Sequence, residues 1–103
     1  MIVPFCFICL DSKSISVSWI NSELVVSWND IFTSIEQLFY EVSAGTMEGG
    51  VNIIQWQYTN QTSITFGIPP TVTVATGLKV HVTVGAITVG GNYGFKTGSI
   101  TLP

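Results

Sequence analysis

The sequence predicts an all-β fold, a small antiparallel sandwich of seven strands, and two observations support this prediction. Val, Ile and Thr occur twelve times each among 103 residues, and β-branched side chains suit a pleated surface while they crowd a helix. Short runs in which apolar and polar residues alternate recur at a spacing of roughly 8–14 residues, with turn-forming residues between them. A chain of this length can bury one hydrophobic core, so a single domain is expected.

The first two predicted strands are "SISVSW" and "LVVSW". Alternation gives each strand one apolar face. These two faces consist of Ile15, Val17 and Trp19, then Leu24, Val26 and Trp28. Only the short polar break "INSE" separates the runs, so they are predicted to be successive antiparallel strands.

The segment that follows fits two structures. The apolar residues of "IFTSIEQLFYEV" repeat at helical spacing, and Thr33 with Glu36 fits a capping box, so the local pattern favours a helix. From Leu38 onward the alternation also fits a strand. A solitary helix would disagree with the rest of the chain, so we expect a loop at about 30–36 and a strand at about 37–44.

The remaining four strands are separated by glycine, asparagine and proline. They are predicted in the segments "NIIQWQY", "TSITF", "LKVHVTVGA" and "FKTGSITL". In the first of these, alternation groups Ile54 with Trp56 and Tyr58, and leaves Ile53, Gln55 and Gln57 on the outward face. The "GIPPT" segment cannot continue a central strand because proline donates no hydrogen bond.

Composition argues against several classes of partner. Charged residues make up 9 % of the chain, the net charge is −3, and its three basic residues are all lysines. Few cations are therefore present to neutralise phosphates, which argues against nucleic acid and anionic membranes. No cofactor is expected. With only Cys6, Cys9 and His81 as soft ligands, zinc is not predicted, and the two cysteines are interpreted as incidental apolar residues.

Residues 1–12 form an apolar segment that need not belong to the domain, which is predicted to span 13–103. The run "MIVPFCFICL" is shorter than the roughly 20 residues that cross a bilayer, so no direct membrane insertion is expected. The run also lacks the basic region and the small-residue cleavage site of a signal peptide.

Three motifs resemble a fibronectin type III domain over residues 13–103. They are "LVVSW", similar to the second-strand tryptophan motif, "YEVSAGT" before a Gly-Gly turn, similar to a third strand of the extracellular branch, and "GLKVHVTVGAIT", similar to the sixth strand. The resemblance implies a seven-stranded immunoglobulin-like sandwich with Trp28 in its core. The family's corner tyrosine is replaced by Val80, and its proline-rich first strand is missing, so a less stable domain is expected.

The resemblance implies a non-enzymatic interaction or spacer module. Such modules belong to larger secreted or cell-surface proteins that act in adhesion, as receptors or in the matrix, and their partners are proteins or neighbouring domains. An enzyme is not expected because the chain offers few convergent titratable groups. The alternative is a standalone sandwich that recognises carbohydrate through an exposed Trp56 or Tyr93.

A candidate binding face lies on the outward side of the third, fourth and sixth predicted strands. Its residues are Phe39, Glu41, Ile53, Gln55, Lys79 and His81. Exposed apolar side chains with few charges suit contact with another domain. The third and sixth strands are expected to be neighbours, which would allow Glu41 to approach His81 as an acid-sensing pair; a solvated surface imidazole is the simpler interpretation. Asn60, in "NQT", fits an N-glycosylation sequon in a predicted turn.

Overall fold

A computed structural model describes residues 8–103, and in this range the chain is all-β, with no helix. Nine strands follow one another within these described residues. They are β1 Cys9–Leu10, β2 Ser16–Ile20, β3 Glu23–Ser27, β4 Phe32–Thr33, β5 Leu38–Gly45, β6 Ile54–Thr59, β7 Ser63–Phe66, β8 Lys79–Thr88 and β9 Tyr93–Thr101. The seven longer strands coincide with the seven predicted from alternation, and β1 and β4 are additional.

The strands pair into three antiparallel sheets. One sheet has the order β2-β3-β7, the second has the order β6-β5-β8-β9, and β1 pairs with β4 in a two-stranded ribbon. The third and sixth predicted strands, now β5 and β8, are neighbours as expected. The chain passes from one large sheet to the other between β3 and β5, between β6 and β7, and between β7 and β8.

The inward side chains of the two large sheets form one hydrophobic core. Leu24, Val26 and Trp28 are fully buried or nearly so, as alternation predicted. From the other sheet they meet Tyr40, whose ring lies 5.5 Å from that of Trp28 in an edge-to-face arrangement. A core enclosed by two antiparallel sheets gives the molecule a sandwich-like architecture.

The first hairpin has a turn of only two residues. Asn21 and Ser22 connect β2 to β3, and both have positive φ, 51° and 62°. Positive φ at both central positions defines a type I′ turn, whose twist matches that of the flanking strands. The polar break seen in the sequence is therefore a tight hairpin turn that fixes the pairing of Val17 with Val26.

The segment with two possible structures is a loop followed by a strand. Phe32–Thr33 pairs with β1, and β5 begins at Leu38. Helical spacing of apolar residues was a poor guide because Ile31 and Phe32 are buried in an extended segment, whereas Ile35 is exposed to solvent. The predicted strand is confirmed as β5, and the predicted loop at about 30–36 also contains the two-residue strand β4.

Part of the apolar N-terminal segment contacts the domain. The backbone amide of Asp11 donates to the carbonyl of Ile31, and the side chains of Ile8 and Leu10 lie against Gly94. Cys9 is disulfide-bonded, so its interpretation as an incidental apolar residue was wrong. Cys6 and the rest of residues 1–7 lie outside the described part of the chain.

Ile53 is buried and belongs to the core, so its predicted place on the outward face was wrong. The faces of β6 are the reverse of those predicted, because Gln57 pairs with the buried Val42 and Tyr58 pairs with the outward Glu41. A β-bulge follows: Ala44, two residues further along β5, pairs with Ile54, so β6 contains one extra residue. Ile53 precedes β6, and its backbone amide donates to the carbonyl of Ala44.

Candidate binding face

The four-stranded sheet is the largest in the domain, and its outer surface carries several exposed aromatic side chains. Tyr58, Glu41, Gly85 and Phe95 lie directly beside one another across its four strands. The adjacent row joins Phe39, Ile87 and Tyr93. We call the four residues Phe39, Tyr58, Tyr93 and Phe95 the aromatic face; their exposed fractions are 40, 74, 50 and 56 %.

A glycine makes room for one ring of the aromatic face. A Cβ atom added to Gly85 would lie 2.5 Å from the hydroxyl oxygen of Tyr93 and 2.7 Å from a ring carbon. The Tyr93 ring therefore lies flat across the backbone of β8, in the space that a side chain would fill. Its centroid is 6.2 Å from that of Phe95 and the two rings are tilted by 31°.

Glu41 supplies the negative charge within the aromatic face. Partial burial raises the pKa of Tyr93, and the nearby carboxylate of Glu41 raises it further. Both effects favour the neutral phenol, and Gly85 leaves room for its ring.

A groove of about 570 Å³ opens at one end of the aromatic face, lined by Phe39, Tyr58, Thr59 and Asn60. Most of the exposed lining is apolar. Asn60 follows β6 directly and begins the turn to β7, where its side-chain oxygen accepts a hydrogen bond from the Gln61 amide at 3.3 Å. Asn60 is thus exposed and adjoins two aromatic rings.

A second, polar cleft of about 440 Å³ lies at the opposite end of the sheet. Lys79, His81 and Glu48 line it together with Thr97 and Ser99. Glu41 is not part of this cleft, because it pairs with Gly85, four residues along β8 from His81, which is roughly 13 Å at the rise of a strand. The predicted approach of Glu41 to His81 was wrong.

The predicted binding face is therefore divided among three places. Phe39 belongs to the aromatic face, and Glu41 lies between its rings. Lys79 and His81 belong to the polar cleft. Gln55 is exposed at the bulge and Ile53 is buried.

Sequence reasoning missed Tyr58 and Phe95 as members of one surface. For Phe95 the signal was present, because "YGFKTGS" alternates and puts Tyr93 and Phe95 on the same side. For Tyr58 alternation alone was insufficient, because only the pairing with Glu41 shows that its side of β6 is the outward one.

Within residues 8–103, no three His, Cys, Asp or Glu side chains are grouped so that they could hold a metal ion. The same range contains no helix of a length and apolar character sufficient to span a membrane. Comparisons of the chain with models of protein families, with curated proteins and with solved structures found no match.

Proposed function

We propose that this chain is a non-enzymatic interaction or spacer module of the fibronectin type III kind, within a larger secreted or cell-surface protein. The observation that carries the proposal is the aromatic face, a group of exposed rings around one carboxylate on an open sheet. Exposed apolar patches of this kind mark interaction sites in soluble proteins.

The arrangement of the strands supports the proposed family. The two large sheets contain seven strands, the number that the resemblance implies. The chain crosses between these sheets three times, in the manner of the Greek-key connections of immunoglobulin-like sandwiches. Trp28, the residue of the second-strand motif, is buried in the core. Val80, at the position of the family's corner tyrosine, is fully buried and adds apolar packing there.

The chemistry of the aromatic face favours a folded protein domain as its partner. Interfaces between proteins are enriched in aromatic side chains and depleted of charge at their centre. Phe39, Tyr93 and Phe95 provide such a centre, and Glu41 adds one acceptor for a lysine, an arginine or a hydroxyl donor of the partner. The complementary surface is therefore apolar with a single donor or cation near its middle.

The test is oxidative footprinting of aromatic side chains. The protein is produced by secreting eukaryotic cells, and hydroxyl-radical labelling of Tyr93 and Phe95 is compared between the purified protein and the protein in the matrix or on the surface of those cells. Protection of both residues in the assembled setting is expected.

A matched pair of variants makes the test specific. Phe95→Ser, on the aromatic face, should lose the association, and Ile20→Ser, on the other large sheet, should retain it. Both side chains are about half exposed, at 56 and 52 %, so the two changes remove similar exposed surface. Equal labelling of Tyr93 in both settings, with both variants behaving alike, would overturn the proposal.

Carbohydrate recognition is the second candidate function, and the pair Tyr93 and Phe95 favours it. Two neighbouring rings on an open face offer a platform for the C–H groups of a sugar. Trp56, on β6, is 39 % exposed and adds a third ring to this pair. Glycan-array binding that disappears with Tyr93→Ala or Trp56→Ala would favour this function over the protein partner.

A further inference from the structure

We propose that Asn60 carries an N-linked glycan whose first N-acetylglucosamine packs in the groove between Phe39 and Tyr58. The inference rests on the secreted setting of the proposed function. It also goes beyond it, because it assigns an occupant to one end of the aromatic face.

The register of the sheet brings the three side chains together. Tyr58 is opposite Glu41 on the outward side, and the pairing of β5 with β6 advances one residue at a time to Tyr40 and Thr59. Continued by one step, the register sets Asn60 beside Phe39, on the same side as Tyr58. The groove lined by Phe39, Tyr58, Thr59 and Asn60 agrees with this placement.

The chemistry of the modification uses the Asn60 amide and a lipid-linked oligosaccharide pyrophosphate as the glycosyl donor. A bond forms between the amide nitrogen and the anomeric carbon of the sugar, and the bond from that carbon to the phosphate oxygen breaks. The amide loses one proton, and the lipid pyrophosphate leaves with the electron pair of the broken bond. No oxidant or reductant is needed.

The position of Thr62 indicates when this transfer occurs. Its hydroxyl, the third element of the sequon, donates to the side-chain oxygen of Asn29, and its carbonyl accepts the backbone amide of Trp28. Folding therefore encloses the sequon in contacts with the loop that follows β3. The transfer must precede the folding of this turn.

Covalent attachment at Asn60 favours occupancy of the groove by the sugar. Linkage converts a weak contact between a sugar and an aromatic ring into an intramolecular one, with a high effective concentration. The Tyr58 ring is 74 % exposed and Phe39 is 40 % exposed, so both have apolar surface to cover. A packed sugar would leave Tyr93 and Phe95 as the part of the aromatic face that remains open to a protein partner.

The experiment is a double-mutant cycle on the secreted protein. The chain is expressed behind a secretion signal in mammalian cells that make high-mannose glycans, and an endoglycosidase trims each product to a single N-acetylglucosamine. The four proteins are the unchanged chain, Asn60→Gln, Tyr58→Thr, and the double variant. Tyr58→Thr keeps a β-branched residue at an exposed strand position, so the fold is retained.

We expect a mass shift that requires Asn60, and a Tm of the trimmed protein that exceeds that of Asn60→Gln by roughly 3–6 °C. In the Tyr58→Thr background the same comparison should show no difference. The control Tyr93→Thr, on the aromatic face but outside the groove, should preserve the increase. Nuclear Overhauser contacts between the sugar and the Tyr58 ring should be present.

Absence of the mass shift in the secreted protein would overturn the proposal, as would a stabilisation that is equal with and without Tyr58. Either result leaves the footprinting of Tyr93 and Phe95 unaffected, so the failure of this inference is distinguishable from a failure of the proposed function. If the mass shift and the Tm differences are as expected but Tyr93 is labelled equally in both footprinting settings, only the protein-binding role is overturned.

Discussion

The ring of Tyr93 lies across the bare backbone of Gly85, close to Glu41, which is paired with Gly85 and raises the pKa of the phenol. Three strands contribute to this contact, β9, β5 and β8, so the aromatic face is held by the sheet and not by a loop. A ring fixed in this way loses little side-chain entropy when a partner covers it. The contact is therefore the feature that would most directly pre-organise this surface for the proposed partner.

Replacing Glu41 by Gln should lower the pKa of Tyr93 towards that of an ordinary tyrosine. Burial raises that pKa first and will persist, but the negative charge of Glu41 also raises it and is removed by the substitution. Titration of tyrosine labelled with ¹³C at Cζ measures the change. Tyr40 is the internal control, because burial alone raises its pKa, which should stay raised.

The raised pKa of Tyr93 also fixes the sign of a pH effect. A folded-state pKa above the unfolded one favours the protonated phenol in the native protein. Its contribution to stability is therefore fully present below the ordinary tyrosine pKa and is lost as the pH rises through the higher folded value. Denaturation between about pH 9 and 12 should show a smaller alkaline loss in Glu41→Gln than in the unchanged protein. An equal loss in both would contradict the role of Glu41.

Gly85→Ala and Gly45→Ala should separate a change of surface from a change of fold. At Gly85 the new methyl group meets the far end of the Tyr93 side chain, which can swing away. The free energy of unfolding should then change by less than about 1 kcal/mol. The Tyr93 pKa should fall, because the ring moves out of its partly buried position and away from the Glu41 carboxylate.

At Gly45 the methyl group would lie 2.5 Å from the backbone carbon of Gly50, which cannot move without disturbing the turn. A loss of stability of roughly 1–3 kcal/mol is expected. Urea denaturation of both variants checks the contrast. A Gly85→Ala protein that unfolds as readily as Gly45→Ala would show that the Tyr93 ring is part of the fold.

The pattern of alternation was sufficient to predict where the strands of this chain lie, but not which face of its sheet every side chain occupies. Alternation located the two runs that enclose Trp28 and the long strand β8, because their side chains follow the two-residue period of the sheet without interruption. It failed on β6, where Gln57 pairs with the buried Val42 and Tyr58 with the outward Glu41, the reverse of the predicted faces. Which face of an edge strand meets the core is set by its pairing with the neighbouring strand, and alternation within one strand does not determine it.

The candidate site was harder to predict than the fold for a related reason. A strand pattern tells which side chains share a face but not which residues lie beside one another on neighbouring strands. Glu41 was therefore assigned to His81, whereas the register gives it Gly85 as a neighbour, and the Tyr93 phenol lies close to it. Such a register depends on long-range pairing, which a single sequence leaves open.

Trp28→Ala should destabilise the domain by roughly 3–5 kcal/mol, because it removes the largest fully buried side chain and leaves a cavity. Trp28→Phe should cost less. Phenylalanine keeps a ring against Tyr40, and it removes the indole Nε1, a buried donor without a hydrogen-bond partner in the described part of the chain. Thermal or urea denaturation measures both, with Trp56→Ala, at an exposed site, as the control. Equal losses for Trp28→Ala and Trp56→Ala would contradict the assignment of the core.

Ser43→Ala should leave stability unchanged or increase it by up to about 1 kcal/mol. The Ser43 hydroxyl is fully buried on β5 and has no hydrogen-bond partner among residues 8–103. Its removal ends the cost of an unsatisfied polar group while the Cβ atom keeps its packing. A loss of more than 1 kcal/mol in urea denaturation would reveal a partner for this hydroxyl, such as a buried water molecule.

Ser22→Gly should stabilise the protein by about 0.5–1 kcal/mol. Ser22 has a φ of 62° in the turn between β2 and β3. This conformation raises the free energy of a residue that has a Cβ atom but hardly raises that of glycine. The greater freedom of glycine in the unfolded chain offsets part of this gain. The change converts the turn to Asn-Gly, the preferred pair for this type of hairpin.

Ser16→Gly, within β2 and without a positive φ, is the matched control and should destabilise the protein. Urea denaturation at constant m-value distinguishes the two, and a destabilised Ser22→Gly would mean that the serine hydroxyl contributes more to the turn than its strained backbone costs.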